Sequence, residues 1–389
     1  MTQTRRIAVV TSSRADYGHL YWLLHDLSAH PAVDLKIVAF GSHLSPEFGR
    51  TVEEIERDGF SVDDTVECLL SSDTDVGMAK TLGLATLGLA DTLGRLRPHL
   101  LVVIADRYEV MAAAAVALTL RIPIAHIEGG ELSEGAIDDA VRNALTKLSH
   151  LHFTTTERAR QRVLAMGEES WRVHRVGALS LDHLTRSTLP APALVASRVQ
   201  ISLDATLILV MCHPETLQRD TAAYADAVFD ALGRLRHQVV LCFPNADAGS
   251  RSLIDRARIF CASRLNARLV INLPAPEYWS LLSVADVLIG NSSSGVMEAA
   301  SLHKPAINVG IRQEGREHAA NVLNVPADAD AILAAVSRAL APEFQRLVDG
   351  VENPYGDGGA AERIVRVLTT TALDQTLLLK RAAPLVLES

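Results

Sequence analysis

The sequence predicts an α/β protein made of two Rossmann-like domains that face each other across a cleft. Short β-branched and apolar runs alternate with longer helical patterns, which indicates a parallel sheet covered by helices on both faces. The pattern restarts after a polar stretch near Leu184–Gln200. The chain has 389 residues, of which 48% are hydrophobic, and a chain of this length usually divides into two domains with separate hydrophobic cores.

The predicted elements follow this alternation along the chain. Strands of the first half are predicted at Ile7–Thr11, Leu35–Phe40, Leu100–Ile104, Ile122–His126 and Leu151–Phe153. The crossover helices between them are predicted at Tyr17–Leu27, Asp75–Leu96, Tyr108–Leu118 and Asp138–Leu148. Strands of the second half are predicted at Thr206–Met211, Val239–Phe243, Leu269–Ile271, Val287–Ile289 and Ala306–Val309. The expected domains are therefore 1–185 and 186–365, followed by a tail at 366–389 that packs back on the first domain.

Composition excludes several classes of partner. The formal charge of −9 argues against nucleic acid or an anionic membrane, because either would favour a basic face. No apolar run reaches the roughly 18–20 residues of a membrane span, and Met1–Arg6 leads directly into a predicted strand, so a cytoplasmic location is expected. The four cysteines lie far apart, without a C-x-x-C pair or a histidine at metal-ligand spacing. Neither a disulfide, a metal nor a cofactor is expected.

Polar residues follow most of the predicted strands. In an open α/β sheet, ligands bind beyond the carboxyl ends of the strands. The residues at these positions are Ser12–Asp16, Asp106–Arg107, His126–Glu131, His213–Glu215, Pro244–Ser250 and Asn291–Ser294. Because carboxylates, arginines and histidines recur there, the sequence predicts a ligand site along these strand ends.

The stretch Gly290–Glu298 is the most informative of these loops. It follows the apolar run Val287–Ile289 and leads into a helical segment. A strand, a tight Gly/Ser turn and a helix start bring N–H groups and hydroxyls to a positive helix end, which is how proteins hold a phosphate. A plain strand-to-helix connection is the alternative for this turn taken alone.

Eight motifs, which lie between about residue 6 and residue 365, appear in the order of one family. They are Ser12–Tyr17, Gly41–Leu44, Asp106–Glu109, His126–Glu131, Gly135–Asp139, Phe243–Ser250, Gly290–Gly295 and Arg312–Glu317. Together they resemble the hydrolysing UDP-N-acetylglucosamine 2-epimerases of the bacterial sialic and legionaminic acid branch. The resemblance implies a glycosyltransferase-B-like fold, a UDP-sugar substrate and a homodimer or homotetramer. It also implies elimination of UDP and addition of water to a glycal, which gives N-acetylmannosamine for sialic-type acid synthesis.

This chemistry needs a base for a weakly acidic C2 proton, cations for the departing diphosphate, and an acid or base for the addition of water. By resemblance, Asp106, Glu128 and Asp138 are the catalytic carboxylates, and His213 belongs with them. Crowding several carboxylates in one cleft would keep some protonated and others ionised near neutral pH. Helix capping is the alternative for Asp106 and Asp138, since each precedes a helical run.

The resemblance also implies the groups that hold the diphosphate. Arg14 and Arg312 are expected to approach it from the two domains, beside Ser292 and Ser293. Arginine suits this role because its planar fork binds phosphate oxygens through two hydrogen bonds. Arg107 has the same role by resemblance, with an ion pair to the neighbouring aspartate as its alternative.

Three further residues complete the expected binding set. Glu298 resembles the acidic residue that holds the ribose hydroxyls, with a solvated helix carboxylate as its alternative. Asn245 is expected near the uracil. His126 is expected in the site, with a packed histidine at a strand end as its alternative.

The chain departs from the family pattern in three places. Ala105 stands where close relatives usually have glycine, Asn143 stands where they often have histidine, and Ser133–Gly135 resembles the bacterial branch. That branch includes enzymes acting on UDP-N,N′-diacetylbacillosamine, which is the alternative to the favoured substrate, UDP-N-acetylglucosamine. A non-hydrolysing 2-epimerase, a glycosyltransferase and an inactive UDP-sugar sensor are the other classes. The three carboxylates favour the hydrolysing enzyme.

Overall fold

Two compact α/β units make up the structure, a computed structural model that describes residues 4–70, 74–133, 137–213, 222–243, 250–271 and 273–381. Within these residues, the first unit is drawn from 4–131, 138–182 and 358–381, and the second from 132–137 and 183–357. The chain passes between the units next to residues 182 and 357. The sequence-based boundaries at 185 and 365 stay predictions.

All strand pairings among the described residues are parallel. The strands are β1 Arg5–Thr11, β2 Val33–Phe40, β3 Asp64–Val66, β4 Leu100–Ile104, β5 Ile124–Ile127, β6 Leu151–Thr154, β7 Val173–Arg175, β8 Leu207–Met211, β9 Gln238–Phe243, β10 Ala267–Ile271, β11 Val287–Gly290, β12 Ala306–Val309 and β13 Val322–Val325. The first unit has the order β3-β2-β1-β4-β5-β6-β7, and the second has β10-β9-β8-β11-β12-β13. The predicted α/β class with two parallel sheets is confirmed.

Helices connect the strands, as parallel pairing requires. They are α1 Arg14–Ala29, α2 Val52–Arg57, α3 Asp75–Leu96, α4 Val110–Thr119, α5 Asp138–Leu148, α6 Glu157–Ala165, α7 Leu181–Arg186, α8 Pro192–Val199, α9 Ala222–Arg234, α10 Ser250–Ala262, α11 Ala275–Val284, α12 Ser294–Ser301, α13 Ala329–Ala339, α14 Pro342–Asp349, α15 Ala360–Thr370 and α16 Gln375–Leu378. None of the helices in the described part of the chain is both long and apolar enough to cross a membrane.

Both faces of the first sheet are covered, so its central strands are apolar throughout. On one face, Val9 shares an apolar cluster with Leu24 of α1 and Ile364 of α15. On the other face, Val10 clusters with Ala113 of α4. Side chains of β4 are buried at all five positions, which is typical of the centre of a parallel sheet.

The second sheet is built in the same way. Val210 of β8 clusters with Leu232 of α9 and Ile332 of α13 on one face. Leu209 clusters with Leu282 of α11 on the opposite face, where α12 also packs. The strand ends that carry polar residues are thus attached to rigid, doubly covered sheets.

The segment after α15 is held against the first unit by one buried arginine. The Arg172 guanidinium donates to the carbonyls of Leu377 and Thr376, each at 2.8 Å, and to that of Leu379 at 3.0 Å. A fully buried guanidinium needs such acceptors, because its charge has left water. Within the described residues, the chain thus returns to the first unit after residue 357, where the second unit ends.

Several element bounds were predicted correctly, and three strands were missed. Leu100–Ile104, Ala306–Val309, Asp75–Leu96 and Asp138–Leu148 are confirmed to the residue. The strand predicted from Ile122 begins at Ile124, after Pro123, which has no N–H for the sheet ladder. The missed strands β3, β7 and β13 all lie at sheet edges, where a short, half-exposed strand lacks an apolar run.

Candidate active site

Asp106, directly after β4, is held by a buried arginine of α5. Its carboxylate pairs with Nη2 of Arg142, while Nη1 of Arg142 donates to the Glu131 carbonyl at 2.9 Å. The Arg142 side chain is 2% exposed and that of Asp106 is 17% exposed. A buried guanidinium strongly favours an ionised partner, because either charge alone would be costly there. The carboxylate is therefore fixed in place, with part of its surface open.

Asp138 belongs to the same neighbourhood through α5. It is the first residue of that helix and lies four residues before Arg142, and residues at this spacing share one face of a helix. Asp138 is partly exposed. Asp138 therefore shares a face of α5 with the arginine that holds Asp106.

Helix capping does not explain Asp106. The residue at the N-cap of α4 is Glu109, whose side chain makes no capping hydrogen bond. The capping alternative for Asp106 is therefore wrong. The alternative role of Arg107, an ion pair with Asp106, does not match the structure either. Nη2 of Arg107 donates to the fully buried Glu109 at 2.9 Å, while Asp106 pairs with Arg142.

His126 is buried at the end of β5, which agrees with the alternative interpretation, a packed histidine at a strand end. Its Nε2 lies 2.9 Å from the Ala105 carbonyl, and its Nδ1 lies 3.4 Å from Oγ1 of Thr146. Burial lowers the pKa of His126 to about 4, so the ring is neutral at pH 7. The carbonyl must accept, so Nε2 carries the hydrogen and His126 holds the backbone of Ala105 in place.

The backbone is strained at two residues of this group. Ala105 has φ +59° and Glu128 has φ +68°, a left-handed conformation that costs a non-glycine residue about 1–2 kcal/mol. Hydrogen bonds to neighbouring strands maintain both: the Ala105 N–H donates to the Ile127 carbonyl at 3.0 Å, and the Glu128 N–H donates to that of Phe153 at 2.8 Å. Strain of this kind is typical of functional sites.

Glu128 is buried and lies beside a histidine that the sequence analysis missed. Its Oε1 is 3.1 Å from Nδ1 of His19 on α1. The Glu128 side chain is 6% exposed and the His19 side chain is 27% exposed. No local signal links two residues 109 positions apart, since only the packing of α1 on the sheet brings them together.

The loop after β1 is ordered by its own side chains. Asp16 accepts hydrogen bonds from the N–H and Oγ of Ser12 at 3.1 and 2.6 Å, and Ser13 caps α1. Arg14, expected at the diphosphate, donates from Nε to Oε2 of Glu54 at 2.9 Å. Its guanidinium is thus oriented by a carboxylate of its own unit.

In the second unit, the Gly290 turn has a backbone that only glycine tolerates. Gly290 has φ +144°, and a Cβ there would lie 1.9 Å from the Met211 carbonyl oxygen. Strands β8 and β11 therefore run close together at their carboxyl ends. This close approach starts the loop that was predicted to hold phosphate.

Asn291 ties the loop together and was not singled out from the sequence. Its Oδ1 accepts the His213 N–H at 2.7 Å, and its Nδ2 donates to the His213 carbonyl at 2.9 Å. The Asn291 carbonyl accepts from Nη1 of Arg312 at 3.1 Å and from Nε2 of Gln313 at 3.0 Å. The structure thus brings His213 and Arg312 to the Gly/Ser loop, as predicted.

The two predicted serines lie at the start of α12. Ser293 occupies the N-cap position without a side-chain capping bond, and Oγ of Ser292 accepts the Ser294 N–H at 3.3 Å. The positive end of the helix dipole and the Arg312 guanidinium therefore lie on the same loop. Both favour an anion.

Glu298 is buried one turn into α12, at 4% exposure, so the solvated-carboxylate alternative is wrong. Tyr278 packs nearby and donates from its hydroxyl to Oγ of Ser294 at 2.7 Å. Burial raises the pKa of Tyr278 well above its usual value, and the Glu298 charge adds to this effect.

The predicted uracil-side residue Asn245 lies outside the described residues. Among the described residues, no three His, Cys, Asp or Glu side chains gather as metal ligands.

Comparison with known proteins agrees with these features. The family model for UDP-N-acetylglucosamine 2-epimerase matches residues 25–369. A UDP-N,N′-diacetylbacillosamine 2-epimerase (hydrolyzing) from Legionella pneumophila is 34% identical over 378 residues, which cover 97% of this chain and 98% of the relative. A GDP/UDP-N,N′-diacetylbacillosamine 2-epimerase (hydrolyzing) from Campylobacter jejuni is 34% identical over 323 residues, covering 82% and 84%.

Among solved structures, the UDP-GlcNAc 2-epimerase of Neisseria meningitidis, crystallised with UDP-GlcNAc, superposes with a TM-score of 0.80 at 20% identity. The match covers 94% of this chain and all of that one. At this identity the likeness concerns the fold, which is glycosyltransferase-B-like, with two parallel sheets.

Proposed function

The chain belongs to the UDP-N-acetylglucosamine 2-epimerase family and is an enzyme of the hydrolysing UDP-sugar 2-epimerase type, and on this premise we propose its reaction and substrate. It eliminates UDP from a UDP-linked 2-acetamido sugar and adds water to the resulting glycal, which releases the free 2-epimer. The observation that carries this proposal is the carboxylate group at the ends of β4 and β5, where Asp106 is fixed by Arg142 and Glu128 is strained and buried.

In the elimination, a base takes the C2 proton, the C2–H electron pair forms the C1–C2 double bond, and the C1–O electrons leave with UDP. In the hydration, water supplies a hydroxyl to C1 and a proton returns to C2 on the opposite face. Both steps need carboxylates that change protonation state. Glu128 and Asp138 are assigned to these proton transfers, because the Asp106 carboxylate is already paired with a buried guanidinium.

Asp106 then has a different role. A carboxylate that is fixed beside the sugar stabilises the positive charge that develops there as the C1–O bond breaks. Departure of the diphosphate is assisted by the loop of the second unit, where Arg312, His213 and the N-terminus of α12 favour negative charge. Glu298 is assigned to the ribose hydroxyls and Arg14 and Arg107 to the phosphates, in line with the family resemblance.

The two diacetylbacillosamine 2-epimerases named above favour UDP-N,N′-diacetylbacillosamine as the better substrate. The family resemblance favours UDP-N-acetylglucosamine instead, so both sugars are to be tested as substrates. The ratio of their kcat/KM values reports the difference in transition-state binding, which decides between them. The homo-oligomeric state and the cytoplasmic location stay predictions.

Turnover in heavy water tests the reaction. We expect deuterium at C2 of the released sugar and oxygen from water at C1. A glycosyltransferase or simple hydrolase would leave the C2 hydrogen in place, and a non-hydrolysing epimerase would exchange it but keep UDP on the product. Retention of the C2 hydrogen would exclude the proposed elimination.

Variants of the three carboxylates test their assignment. Asp106→Asn, Glu128→Gln and Asp138→Asn are each expected to lower kcat by about a hundredfold or more, with nearly unchanged affinity for UDP. Asp91→Asn is the matched control, since Asp91 is an exposed carboxylate on α3 of the same unit. Near-normal turnover by any of the three variants would remove that residue from the catalytic set.

A further inference from the structure

The left-handed backbone at Glu128 determines which way its side chain extends. Along β5, side chains alternate between the two faces: His126 contacts Thr146 of α5, and Ile127 joins the cluster on the α1 face. Simple alternation would send Glu128 to the same face as His126. Its φ of +68° breaks the alternation, and the carboxylate instead reaches α1.

His19 receives this carboxylate at the edge of α1. The helix buries Tyr17, Leu20, Leu23, Leu24 and Leu27. His19 lies between two of these residues but keeps a quarter of its side chain exposed, and its Nδ1 is 3.1 Å from Oε1 of Glu128. One side of the ring thus touches a buried carboxylate and another touches solvent.

We propose that His19 is a positioning residue for Glu128, a role that rests on the proposed function. The Nδ1–H group donates to Oε1, which limits the carboxylate to one orientation. The strained backbone directs Glu128 to this partner, and the hydrogen bond then offsets part of the strain. When Glu128 exchanges a proton with the sugar, it does so through its other oxygen, while the second carboxylate serves the opposite face of C2, so His19 gains and loses no proton.

This role predicts an effect on turnover rather than on binding. His19→Leu is expected to lower kcat about tenfold to a hundredfold, a part of the contribution of a general base, while KM and the affinity for UDP stay within about twofold. His19→Asn is expected to recover most of the loss, because its amide nitrogen can occupy the position of Nδ1 and still donate.

His25→Leu is the matched control. His25 lies on the same helix and also pairs with a carboxylate, that of Asp26, but half of its side chain is exposed and this partner lies on α1 itself. It should turn over like the wild type. Normal kcat for His19→Leu, or an Asn variant no better than the Leu variant, would overturn the proposal.

A measurement on the resting protein separates this proposal from the proposed function. In ¹⁵N-histidine NMR spectra, Glu128→Gln should shift the Nδ1 signal of His19 and leave that of His25 unchanged. An unchanged His19 signal would overturn the pairing even if the enzyme is active. Because this measurement is made on protein that keeps His19, it remains decisive if the His19 variants do not fold. Conversely, a wild type that shows no C2 exchange in heavy water would refute the proposed function, whatever the spectra show.

Discussion

The polar strand ends of the first unit and those of the second unit are built on different principles. In the first unit, charged side chains are buried against one another, and non-glycine residues adopt the left-handed conformation at Ala105 and Glu128. In the second unit, the corresponding strand end uses Gly290, and neutral amide bonds from Asn291 join the strands. The carboxylate group therefore combines backbone strain at non-glycine residues with buried ion pairs, whereas the Gly/Ser loop uses glycine and neutral amide hydrogen bonds for the same close approach.

This contrast follows from the two tasks. Groups that move protons need positions and charges that the solvent would not provide, and buried ion pairs provide them at some expense of stability. A loop that binds an anion needs N–H groups and a positive helix end in a relaxed, preformed backbone. Substitutions at these strand ends should accordingly destabilise the protein for different reasons, which are electrostatic in the first unit and steric in the second.

The largest effect is expected from breaking the buried ion pair. Arg142→Met leaves Asp106 without its partner and should lower the free energy of unfolding by about 3–5 kcal/mol, measured by urea denaturation. The double variant Arg142→Met/Asp106→Leu should recover much of this loss, since no unpaired charge remains. Arg234→Ala is the control: its pair with Asp230 is about half exposed and should contribute less than about 1 kcal/mol. A double variant as unstable as the single one would show that charge is not the reason.

The second-largest effect tests the steric side of the comparison. Gly290→Ala places a Cβ 1.9 Å from a backbone oxygen that cannot move without its strand, so we expect a loss of about 3 kcal/mol in unfolding free energy. Gly295→Ala is the matched control in the same loop, because its nearest neighbour would be the Ala306 side chain at 3.4 Å. Similar losses in both variants would contradict the assigned role of the close approach at Gly290.

The sequence predicts the second-unit loop better than the carboxylate group. A strand, a Gly/Ser turn and a helix start are contiguous in the chain, so the local pattern predicts Ser292 and Ser293 at the helix start, and the family resemblance adds Glu298. The fold followed from the same kind of signal, since buried central strands are continuous apolar runs. Edge strands such as β3 have no such signal, because one side of them has no partner strand.

The carboxylate group depends on contacts that no local pattern encodes. Asp106 and Arg142 are 36 positions apart, and the sequence suggested helix capping or an adjacent arginine instead. His19 and Glu128 meet only because α1 packs on the sheet beside β5. Ala105 was noted as a departure from glycine, but its positive φ emerged only from the structure.

A smaller effect is expected for ligand binding by the second unit. Arg312→Ala removes a guanidinium beside the Asn291 carbonyl and should weaken UDP binding by about 1–3 kcal/mol in isothermal titration calorimetry. UDP should bind equally well in the presence of EDTA. We assign neutralisation of the diphosphate charge to protein cations and a helix end rather than to a metal ion. Arg338→Ala, on the exposed side of α13, is the control. Loss of UDP binding in EDTA would contradict the assignment.

The smallest effect concerns strain at Ala105, which stands at the end of β4 where the second unit has Gly290 at the end of β11. Ala105→Gly keeps the φ of +59° but removes the steric conflict of a left-handed Cβ, so it should raise the unfolding free energy by about 1 kcal/mol. Ala115→Gly, at an exposed position inside α4, should lower it by about 1 kcal/mol, because glycine is a poor helix residue. The opposite signs are the diagnostic result, since a general effect of glycine on the unfolded chain would destabilise both variants. If the Ala105 methyl also borders the sugar, the glycine variant should change the kcat/KM ratio of the two UDP-sugars. An unchanged ratio with raised stability would confine the role of Ala105 to the backbone.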